Sequence, residues 1–89
     1  MIHLRYFASL REAVGCDAET LDLQEINAIA ATTGTTVAAV RTYLTRRGSP
    51  WAEALAEDRP ILAAVNQEMA RSQTPIADGD ELAFFPPVT

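Results

Sequence analysis

Two residue types suited to nucleophilic, general-base or metal-ligand chemistry near neutral pH occur once each in this sequence, as Cys16 and His3. A reactive thiol needs a neighbour that stabilises its thiolate, and nothing in the sequence links a histidine near the start to a cysteine in a turn. Cys16 therefore reads as a small, semi-buried turn residue. One histidine and one cysteine are too few for a zinc site. Asp78, Asp80 and Glu81 begin like a calcium loop, but no later ligand follows at the required length, so an acidic surface turn is the simpler reading. Arg41, Arg46 and Arg47 cluster at the end of an expected helix, where they complement the negative end of its dipole. No glycine-rich phosphate loop occurs. By itself the domain is expected to catalyse nothing. The stretch 78–89 reads Asp-Gly-Asp-Glu-Leu-Ala-Phe-Phe-Pro-Pro-Val-Thr. An acidic turn leads into an apolar strand with two aromatics and ends on a Pro-Pro pair that can continue neither a sheet nor a helix. Such a tail projects away from the domain, held near polyproline geometry, and projection is useful only if something receives it.

The elements that must hold this tail can be read in order. From Met1 to Phe7, Ile2, Leu4 and Tyr6 alternate with His3, Arg5 and Phe7, the mark of a half-buried strand with the first set inward. Phe7 then falls on the polar face. Ser9-Leu10-Arg11-Glu12 is a capping-box pattern that predicts a short helix carrying Leu10 and Val14 on one side and stopping at Gly15. Leu21 and Leu23 alternate with Thr20 and Asp22, which suggests a second strand. Residues 24 to 34 show Ile26, Ile29 and Ala30 at helical spacing with weak boundaries. A main helix is expected from Thr35 or Thr36, a fair N-cap, to Arg47, with Val37, Val40 and Leu44 as its apolar stripe. Ser49-Pro50 restarts a short helix, serine as cap and proline at its first position, with Trp51 and Leu55 closing one end of the core. Ile61 to Val65 reads as a central strand buried on both faces. Asn66-Gln67 turns the chain into a short strand at 68–70. A loop containing Pro75 then leads to the turn at Asp78-Gly79 and the last strand.

Pattern alone gives an α+β domain with one mixed sheet and a helix on one face. In the last strand Leu82 and Phe84 share the core parity, which leaves Ala83 and Phe85 on the other. Phe7, Phe85 and Met69 are then expected together on the helix-free face, a patch of the kind that marks a protein interface.

Length and composition bound the rest. At 89 residues the chain is one small domain, residues 1–89, with room for a single core. With 48% hydrophobic and 21% charged residues it should fold as a soluble globular protein. No apolar run suits a bilayer and no signal peptide is evident, so a cytoplasmic location and no membrane partner are expected. A single cysteine agrees with a reducing compartment. The net charge is −5 and all seven basic residues are arginine, which argues against nucleic acid as a partner.

Three segments together closely resemble one family: the tail itself, Leu62-Ala63-Ala64-Val65-Asn66-Gln67, and Tyr6-Phe7-Ala8 with Arg11-Glu12. The family is the small, sulfur-carrying subunit of molybdopterin synthase. The likeness spans nearly the whole chain, apart from an apparent insertion around Glu25 to Thr33. It implies a ubiquitin-like β-grasp fold with the first and last strands parallel and central. It implies a C-terminal glycine that is adenylated by an ATP-dependent activating enzyme, converted to a thiocarboxylate, and used to deliver sulfur to a cyclic pyranopterin precursor in the large synthase subunit. The resemblance further implies that Phe7, Met69 and Phe85 dock on that large subunit and that Pro86, Pro87, Val88 and Thr89 line its entry channel. Asp78, Asp80 and Glu81 would meet the activating enzyme. No cofactor is bound by the carrier; ATP is used by its activator. A two-plus-two heterotetramer is the family's expected assembly. The family ends in Gly-Gly immediately after the position of Thr89, and this sequence stops before it. As written it is expected to dock without carrying sulfur, whether the glycines were lost by truncation or are truly lacking. Two other readings stay open: a carrier for another pathway such as thiamine synthesis, and a non-catalytic module that occupies and regulates the large subunit.

Overall fold

The computed structural model describes residues 1–30 and 34–87. β1 (Ile2–Tyr6) buries every second side chain, as its alternation requires. It pairs antiparallel with β2 (Ala18–Leu21) and parallel with β5 (Glu81–Phe85), so the two ends of the sequence meet in the sheet. β3 (Leu62–Val65) pairs antiparallel with β5 on its other side and with β4 (Glu68–Ala70) at the edge. The resulting order is β2-β1-β5-β3-β4. Asn66 and Gln67 join β3 to β4 with φ of 51° and 70°, the paired positive values that a two-residue hairpin turn needs.

Helices cover one face. α1 (Ala8–Val14) turns Leu10 and Val14 inward and stops at Gly15, whose φ of 82° belongs to the left-handed region that suits glycine. Its start differs from the expected capping box. The N–H of Phe7 still donates to the Phe84 carbonyl at 3.2 Å, which extends the β1 pairing by one residue, so the chain turns at Ala8 and Ser9 falls inside the first turn. α2 (Leu23–Ala30) replaces the expected continuation of β2 through Leu23. Asp22 is the cause: its carboxylate accepts from the Gln24 N–H at 2.8 Å and its carbonyl from the Ile26 N–H at 3.1 Å, which starts a helix there. Residues 31–33 of the apparent insertion lie outside the described residues.

α3 (Val37–Thr45) is capped by the Thr36 hydroxyl, which accepts from the Ala39 N–H at 3.2 Å. The first-turn N–H groups of Val37 and Ala38 donate to Thr74 and Ser72, and Ile76 N–H donates to Thr35, so the 71–77 loop is strapped across the helix start. α4 (Trp51–Ala54) is capped by Pro50 without a side-chain bond. Ser49, expected as its cap, instead donates to Glu53 at 2.7 Å.

One core fills the space between this layer and the sheet. Ile2, Leu4, Ile26, Val40, Leu44, Leu55 and Leu82 are wholly buried, with Tyr6 and Phe84 nearly so. Each such side chain contributes roughly 1.5–3 kcal/mol relative to exposure. The expectation that Ile61 to Val65 is buried on both faces fails. Only Ala63 of β3 is buried, because the sheet has helices on one side alone.

Candidate functional site

The open face of the sheet is ordered by the strand registers, because side chains directly opposite one another share a face. One row runs Met69, Ala64, Ala83, Arg5 and Ala18 across all five strands. The next sets Leu62 beside Phe85, and Phe7 extends β1 alongside. Phe7 is 43% exposed and Met69 65%, while Phe85 is half-buried. Phe7 and Phe85 line one notch of about 370 Å³ together with Ala64, Ala83, Arg5, Gln67 and Glu81. The alanine rows explain the concavity: small side chains sit between larger ones. Met69 flanks the notch across from Ala64 rather than lining it. The three expected side chains thus share the open face, two of them walling one depression.

The tail leaves from the same region. Pro86 is half-buried and Pro87 exposed directly after Phe85, and Val88 and Thr89 lie outside the described residues. The acidic group at the opposite end of β5 divides by role. Asp80 accepts from the Ala77 N–H at 2.8 Å and from the Asn66 amide at 3.0 Å, and these bonds hold its carboxyl below the usual carboxylate range. Asp78 pairs with the Met1 amine. Glu81 faces the open side beside His3. Asp80 is therefore part of the turn's own structure.

The residues weighed for catalysis are placed apart. His3 is exposed on the open face, and Cys16 packs against the core behind α1. Burial, with the Glu19 carboxylate adding to it, pushes the Cys16 thiol up, away from the thiolate a nucleophile needs. Among the described residues no group of three or more His, Cys, Asp or Glu could hold a metal ion. No described helix is long and apolar enough to cross a membrane.

The three clustered arginines do not serve the dipole of α3. Arg41 donates to the carbonyls of Leu55 at 2.7 Å, Ala56, and Arg59 at 3.0 Å, so it closes the end of α4. Arg46 donates to Ile29 near the end of α2. Arg47 makes two bonds to Glu19, at 2.8 and 3.0 Å, and stacks over Trp51 and Tyr43. Glu19 in turn accepts from the Tyr6 hydroxyl at 2.9 Å, and that hydroxyl accepts from the Trp51 indole N–H at 3.1 Å. Burial first, then the bond to Glu19, pushes the Tyr6 phenol up, so it stays a donor. Sequence reasoning missed this network. Its available signal was a core-facing tyrosine, whose hydroxyl must find a partner when buried. A larger groove of about 650 Å³ between α3, α4 and β3 is lined by Val37, Ala38, Ala52, Ala63 and Phe84, on the helix side away from the aromatic patch.

A five-stranded sheet with parallel central β1 and β5, helices on one face and an aromatic patch beside an emerging tail is a ubiquitin-like β-grasp domain. A model of the ThiS family matches residues 4–89, and the chain belongs to that family. It is 44% identical over 89 residues to the molybdopterin synthase sulfur carrier subunit of Escherichia coli (strain K12), covering 100% of this chain and 98% of that protein. Among solved structures, SAMP1 from Haloferax volcanii is similar with a TM-score of 0.70 and 26% identity, covering 99% of this chain and 96% of that one. A chain in the complex of subunits 1 and 2 of the molybdopterin-converting factor from Helicobacter pylori 26695 shares the fold, with a TM-score of 0.59, 19% identity, and coverage of 99% and 95%.

Proposed function

We propose that this chain is the sulfur carrier of a molybdopterin synthase. The observation that carries the reading is its full-length likeness to the Escherichia coli sulfur carrier subunit. The geometry agrees with it: the chain leaves β5 through Pro86 and Pro87 beside the notch walled by Phe7 and Phe85, where a docked partner could receive a reactive tail. In this reading an ATP-dependent activating enzyme adenylates a Gly-Gly end placed after Thr89, and AMP leaves as sulfur enters to give a thiocarboxylate. The large synthase subunit receives the tail and transfers its sulfur to a cyclic pyranopterin precursor. The chain binds no cofactor of its own, and ATP is consumed by its activator. It works in the cytoplasm with these two partners.

Its own residues have positioning roles. Phe7, Phe85 and Met69 dock on the large subunit, which raises the effective concentration of the tail at the acceptor site. Pro86 and Pro87 keep the tail extended, so little conformational entropy is lost when it threads a narrow channel, with Val88 and Thr89 following. Asp78, Asp80 and Glu81 face the activating enzyme, Asp78 while paired with the Met1 amine and Asp80 while accepting the bonds of its turn.

The test is the intact mass of the chain carrying Gly-Gly after Thr89, before and after incubation with activating enzyme, ATP and a sulfur donor. A gain equal to one oxygen-for-sulfur exchange is expected, followed by its loss when the large subunit and precursor are added. No gain under conditions that load the Escherichia coli protein would refute the carrier reading.

A further inference from the structure

The open face carries a cation that forms no ion pair among the described residues, although Glu81 lines the same notch. Arg5 is exposed on β1, between Ala18 and Ala83 by register. Its guanidinium lies 5.6 Å from the centroid of the Phe7 ring. Among the described residues the ion pairs join Met1 to Asp78 and Arg47 to Glu19, and neither involves Arg5. Of the seven arginines only Arg47 forms an ion pair among the described residues, and what sets Arg5 apart is its place on the open face against the Phe7 ring. Stacking on an aromatic ring occupies the flat face of a guanidinium and leaves its N–H edge for a planar acceptor, which favours a carboxylate held by two bonds. The adjoining notch, walled by Phe7 and Phe85 and floored by Ala64 and Ala83, suits one bulky apolar side chain, the kind of anchor around which interfaces concentrate their affinity.

We infer that the notch takes a large apolar side chain of the docking subunit flanked by an aspartate or glutamate, and that Arg5 selects this pairing. The inference rests on the docking role proposed above for this face. An arginine left unpaired at the centre of such an interface would lose its water with nothing in return, so the partner's carboxylate is what makes a cation tolerable there.

The experiment measures the affinity of the cognate large subunit for the wild-type chain, Arg5→Gln, Arg5→Glu and Phe7→Ala at low and high salt, with a thermal melt of each variant. Arg5→Glu is expected to weaken binding by at least about tenfold, and Arg5→Gln by several-fold with reduced salt sensitivity. Their melts should match wild type, since residue 5 is exposed. If both Arg5 variants bind like wild type while Phe7→Ala binds more weakly, the assignment of Arg5 is overturned and docking through this face stands. If Phe7→Ala also binds like wild type, the docking reading falls with it.

Discussion

Asp80 is the side chain whose ionisation is tied most directly to local structure. The N–H of Ala77 and the amide of Asn66 favour its charged form, so its folded pKa lies below its unfolded value of about 3.9. A depressed carboxyl contributes stability that is present above the unfolded pKa and lost as pH falls through the folded one. Asp80→Asn should therefore melt below wild type near neutral pH, and the difference should shrink below about pH 4. Melting temperatures from pH 6 down to pH 2.5 would check this, and a gap independent of pH would show that the carboxylate's charge has no part in the turn. Asp80 reads in sequence as one of three equivalent surface acids. Its separate role depends on Asn66, fourteen positions away.

At the scale of elements, Arg41 links α3 to the end of α4 and the segment leading into β3. One guanidinium meets the carbonyls of Leu55, at the C-cap of the short helix, and of Ala56 and Arg59 beyond it, where the Ala56 carbonyl also accepts from the Arg59 N–H. Removing it in Arg41→Ala should cost about 1–3 kcal/mol, because partly buried carbonyls would lose charge-assisted bonds. Urea denaturation would give the cost, and amide exchange should quicken around residues 55–61 ahead of the sheet. Equal protection there in both proteins would mean that α4 is held by Leu55 and Trp51 packing alone. The expectation that Arg41 serves the dipole of its own helix erred because a helix end offers a generic attraction, whereas a neighbouring chain end offers directed acceptors at 2.7–3.0 Å.

The whole molecule separates its tasks across the two faces of one sheet. Leu82, on the core side of β5, is completely buried, and Leu82→Ala should destabilise by roughly 2–5 kcal/mol. Met69 on the open side is 65% exposed, and Met69→Asp should change stability by no more than about 0.5 kcal/mol while weakening binding of the large subunit. Paired measurements of unfolding and affinity would test the division. A Met69→Asp protein that unfolds easily but binds normally would contradict it.

The alternation of β1, the Thr36 cap, the hairpin turn at Asn66-Gln67 and the core parity of Leu82 and Phe84 could all be read from the sequence, because each depends on neighbours within a few residues. The same parity placed Phe7 and Phe85 on the open face. Other features were local but outweighed by competing signals: Asp22 with Glu25 three residues later is itself a helix-start pattern, yet Leu21 and Leu23 suggested a strand. Tertiary structure decided what depended on distant partners. β3 is half-covered because helices pack on one side only, α1 is capped at Phe7 and not at Ser9 because Phe7 finds the Phe84 carbonyl, and Arg47, Glu19, Tyr6 and Trp51 meet from four separate elements and connections. Sequence spacing encodes periodicity along one element, but which charges and hydroxyls face one another is fixed only when the sheet closes and the helices settle on it.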